Sequence, residues 1–253
     1  MLNPSGVVLK TTHANSPSLP PGLQVFERGW LSANGVLFSG QEGTALVDSG
    51  YASHSAQTVA LVHQALGTRP LDLLINSHLH SDHCGGNAAL QRAYPGVRTL
   101  IPPGMAASVL DWDPVALSYA PTGQQCPRFR FDSVLKPGQD LMLGGSSWQI
   151  CAAPGHDPHS VILFEPATRT LISADALWEN GFGIVFEELE GVEAFDEVTN
   201  TLDLSSRWRR RSSSPAMVLS SPTPPPPSRR RDQGWKVGPG IQRSMRVTPP
   251  KFW

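Results

Sequence analysis

Residues 71–86 read LDLLINSHLHSDHCGG, and this stretch decides how the rest of the chain is interpreted. Its first six residues form a short apolar run, which predicts a buried β-strand. The loop that follows carries three histidines and one aspartate: His78, His80, Asp82 and His83. Imidazole nitrogens and carboxylate oxygens are ligands that Zn²⁺ accepts, and iron and manganese accept them as well. A rigid strand leading into such a loop predicts a metal site, the alternative being a solvated histidine-rich loop.

The residues that follow the histidine-rich loop have their own expected roles. Gly85 and Gly86 are expected to let the backbone turn sharply into a short helix near 87–92. Cys84 lies beside the candidate site, and we interpret it as a packed thiol rather than a covalent catalyst.

Two further candidate ligands each follow a predicted strand. His156 lies in AAPGH, directly after the strand predicted at 148–152, and Asp175 lies in SAD, at the end of another apolar run. A carboxylate at Asp175 could bridge two ions. The alternatives are a turn histidine at 156 and a helix N-cap at 175. His159 is a candidate for orienting His156 or a bound water, with a surface role equally open.

Four short motifs occur in an order typical of one family. LVDSG at 46–50, SHLHSDHCGG at 77–86, PGH at 154–156 and SAD at 173–175 resemble the metallo-β-lactamase superfamily, over roughly residues 20–204. The resemblance implies an α+β fold, a four-layer αβ/βα sandwich of two sheets between helices.

The same resemblance implies a ligand set. One ion would be held by His78, His80 and His156, and a second by Asp82 and His83, with Asp175 bridging both. Asp48 resembles the family's buried aspartate beneath the metal loop, an ordinary turn residue being the alternative.

The chain departs from the family pattern at the last expected ligand. The family supplies one more histidine, after a strand that follows the helix predicted at 191–204, but this chain has no histidine beyond His159. Ser220 and Ser221 follow the apolar run at 216–219 instead. The second site is therefore expected to lack a ligand, so that one or two zinc ions could be bound.

Composition divides the chain into three parts. Residues 1–22 form an N-terminal extension, 23–204 the metal-hydrolase-like domain, and 205–253 a tail with nine Arg, nine Pro and nine Ser. Such a composition predicts disorder. The tail is either a natural alteration of the C-terminus or, as we favour, the product of a reading-frame slip near residue 205, since an amphipathic helix runs without warning into Arg/Ser/Pro strings.

Charge and cysteine usage predict the surroundings of the protein. Residues 205–253 hold 11 basic residues and one acidic residue, but they lack regularly interleaved aromatics, so a nucleic-acid partner is not expected. The start does not resemble a signal peptide, and no apolar stretch is long enough to span a bilayer. Three cysteines without CxxC spacing fit a reducing compartment. These features predict a cytoplasmic protein without a membrane partner.

The expected chemistry follows from the metal. Bound Zn²⁺ lowers the pKa of its water from about 15.7 to about 7, which predicts hydrolysis of a small ester, thioester or lactone through a metal-bound hydroxide. Asp82 would orient the nucleophile or carry its proton. The alternatives are β-lactam hydrolysis, an iron-dependent oxidoreductase on the same fold, and a catalytically impaired metal-binding protein. Large aromatics are expected to line a pocket for the small-molecule substrate or to join the core: Trp30, Trp112, Trp178 and Phe182. The sequence leaves the oligomeric state open.

Overall fold

The computed structural model describes residues 19–28, 33–178, 182–185, 193–210 and 217–221. This part of the chain forms eleven strands and six helices. The strands are β1 (Leu23–Phe26), β2 (Gly35–Phe38), β3 (Ala45–Val47), β4 (Leu73–Ile75), β5 (Arg98–Ile101), β6 (Ser133–Val134), β7 (Asp140–Leu143), β8 (Ser146–Ala152), β9 (Val161–Glu165), β10 (Thr170–Trp178) and β11 (Met217–Ser221). The helices are α1 (Ser55–Leu66), α2 (Ser81–Cys84), α3 (Asn87–Ala93), α4 (Ala106–Asp111), α5 (Tyr119–Thr122) and α6 (Ala194–Arg210).

The strands form two sheets. The first has the order β1-β2-β3-β4-β5-β6, with antiparallel pairing from β1 to β3 and parallel pairing from β3 to β6. The second has the order β11-β10-β9-β8-β7, antiparallel except for the parallel pair of β10 and β11. The hairpin predicted around residues 165–170 is confirmed, since β9 and β10 pair antiparallel.

Alternating side chains of the strands divide the core into layers. In β4, Ile75 packs between the two sheets with Trp148, whereas Leu74 faces α1 and packs with Val62. On the far face of the second sheet, Phe164 belongs to a cluster that Leu202 of α6 covers. Because successive side chains of a strand point to opposite faces, each sheet has two apolar faces, one toward the other sheet and one toward helices. The expected four-layer α+β sandwich is thereby confirmed.

Two expected element boundaries differ from the structure. The strand expected at 129–135 is only β6, because Arg130 N donates to the Gln91 side chain (3.1 Å) rather than to a neighbouring strand. The domain boundary expected at 204 lies inside α6, which continues to Arg210, and β11 then joins the second sheet. Residues 205–210 contain neither Pro nor Gly, and arginines favour the carboxyl end of a helix. Residues 205–210 thus lie in the last part of α6, and residues 217–221 form β11.

The reason expected for the glycines after the metal loop is wrong. Gly85 and Gly86 have φ of −61° and −82°, ordinary right-handed values that any residue adopts. They are required by close packing instead, since a Cβ at Gly85 would meet Ala52 N at 2.5 Å and one at Gly86 would meet Ser49 O at 2.6 Å. The metal loop therefore rests directly on the backbone that follows β3.

In the part of the chain described above, none of the helices is both long enough and apolar enough to cross a membrane.

Candidate metal centre

The candidate ligands lie where strands of both sheets end or bend. Asp48 follows β3 and Ser77 follows β4, which is the parallel neighbour of β3, so both residues lie at the same edge of the first sheet. His156 follows β8 in the second sheet, and Asp175 lies within β10 beside a register shift at Ala174. Ala174 has φ of +44°, a left-handed value that marks a local bulge. A bulge re-aims the next side chain, which accounts for the inward direction of Asp175.

Three histidine nitrogens meet at one point. His78 Nε2 lies 3.1 Å from His80 Nδ1, which lies 3.0 Å from His156 Nε2. Nitrogen ligands of tetrahedral zinc lie about 3.3 Å apart, given zinc–nitrogen bonds of about 2.0–2.1 Å. The two distances at His80 Nδ1 are close to this value, and all three nitrogens lie within 4.8 Å of one another, so an ion could bind to all three.

Hydrogen bonds at the other ring nitrogens fix two of these histidines. His156 Nδ1 donates to the Ile184 carbonyl (2.6 Å), which can only accept. Ser77 Oγ donates to Asp48 Oδ2 (2.8 Å) and is therefore free to accept from His78 Nδ1 (3.1 Å). Both Nε2 atoms are then lone-pair acceptors, so His80 Nδ1 can satisfy at most one of them by a hydrogen bond. A cation is the natural partner of such a cluster.

A second group lies beside the first. His83 Nε2 is 3.5 Å from both Asp82 Oδ2 and Asp175 Oδ1, while the other oxygen of Asp175 is 3.4 Å from His156 Nε2. The carboxylate of Asp175 thus lies between the two groups. His83 Nε2 is fully buried and has no hydrogen-bond partner among the described residues. Buried polar atoms are nearly always satisfied, so this orphaned atom also fits a metal ligand.

Asp48 lies beneath the loop and holds it. Its carboxylate accepts from Ser77 N (2.9 Å), Ser77 Oγ (2.8 Å) and His83 Nδ1 (2.8 Å). Since a carboxylate only accepts, His83 carries a proton on Nδ1, so its Nε2 atom is the ring nitrogen that faces Asp82 and Asp175. The position matches the role that the resemblance implied.

The pKa values in the centre are strongly perturbed. Burial, followed by the neighbouring imidazoles, lowers the pKa of His80 to about 3 and that of His78 well below its usual range, so both rings are neutral and free to bind a metal. For His83, burial opposes protonation, but Asp82, Asp48 and Asp175 outweigh it and raise the pKa. Burial also raises the pKa of the Asp82 carboxyl. Four imidazoles and two carboxyls thus share one largely buried pocket.

The loop that carries His156 depends on Gly155. This glycine has φ of +129°, and a Cβ there would approach Val198 N of α6 to 2.8 Å. Only glycine allows both the backbone conformation and the close approach of the helix. The Pro-Gly-His motif thus positions His156 through packing against α6.

All six expected ligand residues lie together, and the structure decides between alternatives that the sequence left open for two neighbouring residues. The role expected of His159 falls to the Ile184 carbonyl, and the ring of His159 packs against Gly104 instead. Trp112 packs in the core with Tyr119 and Phe129 rather than lining a pocket. Trp30 lies outside the described residues.

Phe182 lines a small cavity together with His156 and Asp175, and Trp178 is the last residue of β10. Ser77 was not predicted as part of the site, and its only signal in the sequence is its place between a strand and the first histidine. The Ile184 carbonyl was not predicted either, because a backbone carbonyl has no signature in the sequence.

Curated relatives share part of the chain. A hydroxyacylglutathione hydrolase of Brucella anthropi is 27% identical over 138 residues, covering 54% of this chain and 45% of that protein. Another, of Stenotrophomonas maltophilia, is 30% identical over 152 residues, covering 60% of this chain and 48% of that protein. The chain spans about half the length of these relatives.

Solved structures share the fold. A metallo-beta-lactamase family protein of Thermus thermophilus superposes with a TM-score of 0.61 at 16% identity, over 80% of this chain and 74% of that one. A beta-lactamase domain protein of Burkholderia ambifaria gives 0.61 at 20% identity, over 81% and 68%. The family model of the metallo-beta-lactamase superfamily matches residues 28–222, past the boundary expected at 204. The chain belongs to the metallo-beta-lactamase superfamily.

Proposed function

We propose that the protein is a metal-dependent hydrolase of a small ester, thioester or lactone, with zinc at His78, His80 and His156. The proposal is supported chiefly by three ring nitrogens within 4.8 Å of one another, with His80 Nδ1 at 3.1 and 3.0 Å from two Nε2 atoms that are both held as acceptors. Iron or manganese would fit the same donors, and an iron-dependent oxidoreductase would then be the alternative.

The residues around the proposed ion have different roles in the reaction. A divalent ion bound here would polarise a carbonyl and lower the pKa of a coordinated water to about 7. Asp48 and Ser77 hold the imidazoles in the orientation that such an ion needs. Asp82, whose carboxyl has a pKa raised by burial, is placed to orient the attacking water and to accept its proton.

A thioester is the substrate class that we favour. The curated relatives are named as hydroxyacylglutathione hydrolases, and those names denote thioester substrates. The two solved structures described above are only 16% and 20% identical to this chain, so they show a shared fold and not a shared substrate. β-Lactam hydrolysis is therefore the weaker alternative. Phe182 and Ile184 are exposed next to His156, and they offer an apolar surface for the acyl part of a substrate.

The second metal position is incomplete in this proposal. The resemblance supplies a histidine after the strand that matches β11, but here Ser220 pairs in register with Ala174, next to Asp175. A serine hydroxyl is a poor zinc ligand compared with imidazole. We therefore propose one tightly held ion, and a protein with impaired turnover is the corresponding alternative. The cytoplasmic location, the lack of a nucleic-acid partner and a frame slip near 205 stay predictions.

A panel of substrates tests the reaction. The purified chain, loaded with zinc, is offered a hydroxyacylglutathione thioester, a γ-lactone and a β-lactam. We expect turnover of the thioester or the lactone, abolished by EDTA and restored when zinc is returned. Hydrolysis of the β-lactam alone, or turnover of any substrate that survives complete removal of metal, would contradict the proposal. If the metal content is normal but no substrate is turned over, the impaired protein becomes the better description.

A further inference from the structure

Two cysteine thiols lie together directly behind the metal loop. Cys84 is the last residue of α2, the turn of helix that carries Asp82 and His83, and it is fully buried. Cys126 lies beyond α5 in a segment without regular structure, and it is partly exposed. Their sulfur atoms are 3.7 Å apart. The third thiol, Cys151, lies on β8 in the other sheet.

The surroundings of this pair connect it to the metal loop. Cys84 Sγ donates toward the carbonyls of Leu79 (3.4 Å) and His80 (3.3 Å) and contacts the Tyr119 hydroxyl at 3.2 Å. On the Cys126 side, Gln124 Oε1 accepts from Ser81 N (3.2 Å), the first residue of α2. A change at either sulfur is therefore transmitted to the backbone that positions the ligands.

The geometry permits a disulfide with a small movement. A disulfide has a sulfur–sulfur distance of about 2.05 Å, so the two atoms have to approach by about 1.7 Å. Cys126 itself belongs to no strand or helix, although Gln124 N, two residues earlier, donates to Tyr119 O of α5 (2.9 Å). The hydrogen-bonding contact between the two sulfurs lowers the pKa of Cys126, and the partial exposure of Cys126 admits a small oxidant.

We propose that Cys84 and Cys126 are a reversible oxidation site, at which hydrogen peroxide converts the thiol pair into a disulfide. The Cys126 sulfur attacks the peroxide oxygen, the O–O bond breaks, and one molecule of water leaves, giving a sulfenic acid. The Cys84 sulfur then attacks the Cys126 sulfur and releases the second water. The peroxide is reduced by two electrons, and the two thiols are oxidised by two.

The disulfide acts on the metal centre. It removes the S–H donor from the carbonyls of Leu79 and His80, and it pulls the end of α2 toward the Cys126 segment. Changes in the groups that orient metal ligands typically cost 10–100-fold in metal affinity or activity. We expect the oxidised protein to release zinc to a chelator about tenfold faster than the reduced one.

Mass spectrometry of the zinc-loaded full chain tests the oxidation step without any assay of hydrolysis. After mild hydrogen peroxide, the protein should lose the mass of two hydrogen atoms and yield a cross-linked peptide of Cys84 and Cys126 that dithiothreitol separates. The variant Cys151→Ser should behave identically, while Cys126→Ser, once its circular dichroism matches the wild type, should not lose this mass. Retention of three free thiols, further oxidation of Cys126 without a cross-link, or a pair that includes Cys151 would overturn the site. Equal zinc release from oxidised and reduced protein would overturn its effect on the metal.

Discussion

Replacing His80 by alanine should remove the ion from the candidate centre and lower kcat/KM for the proposed reaction by more than about 100-fold. The His80 Nδ1 atom lies between the other two ligand nitrogens, at 3.1 and 3.0 Å. Loss of a residue that only orients a ligand typically costs 10–100-fold, so loss of the ligand itself should cost more. His80 belongs to none of the apolar core clusters of the described residues, so its removal should leave the fold intact. Zinc content after dialysis and kcat/KM on the best substrate are the two measurements.

A matched histidine provides the control for this substitution. His63 is exposed in the last turn of α1, away from the metal loop. His63→Ala should keep both the zinc and the activity of the wild type. If His80→Ala also retains zinc and turnover, while its circular dichroism shows a folded protein, the assignment of the three-histidine site is wrong.

Replacing Asp48 by alanine should lower the free energy of unfolding by about 3–5 kcal/mol, because it removes a buried carboxylate from the buried groups that donate hydrogen bonds to it. Three donors lose their acceptor at once: Ser77 N, Ser77 Oγ and His83 Nδ1. Each buried group left without a partner costs about 1–3 kcal/mol, which is a large part of a typical stability of 5–15 kcal/mol. Urea denaturation of the metal-free protein measures this term separately from zinc binding.

The isosteric substitution sharpens this test. In Asp48→Asn, one amide oxygen can still accept from Ser77 N, but the amide NH₂ faces the donors Ser77 Oγ and His83 Nδ1. We therefore expect Asn to be destabilising as well, whereas Asp111→Ala, at an exposed position, should change the stability by less than about 0.5 kcal/mol. A cost below about 1 kcal/mol for Asp48→Ala would show that the carboxylate does not hold the loop.

Much of the fold was predictable because local pattern and tertiary position agree. The alternation of Leu74 and Ile75 between two apolar faces is inherent in a buried strand, and the apolar run at 71–76 predicted it. The segment at 129–131 was wrongly predicted as a strand, since the Gln91 side chain bonds to the backbone N and O of Arg130 in place of a neighbouring strand. The helix was predicted to end at 204 because the composition changes at 205. It continues to Arg210, since residues 205–210 contain neither Pro nor Gly.

The candidate site was predictable in its residues but not in its supports. Histidines and aspartates can be recognised as candidate ligands by type and spacing, and all six candidates lie close together in the structure, whereas their binding of metal stays a prediction. The Ile184 carbonyl and the contact of Cys84 with Cys126 depend on segments far apart in sequence, and no local pattern marks them. The glycines at 85 and 86 were noticed, but their cause is packing against the backbone of 49–52, which only the fold reveals.

Metal quantification on the purified full chain tests the central claim most directly. The protein is saturated with zinc, dialysed against buffer without chelator, and measured for zinc and for chain concentration. We predict about one zinc per wild-type chain, held at His78, His80 and His156, and almost none in His80→Ala. A wild-type chain that retains no zinc, iron or manganese after loading would contradict the metal centre on which the proposed function depends.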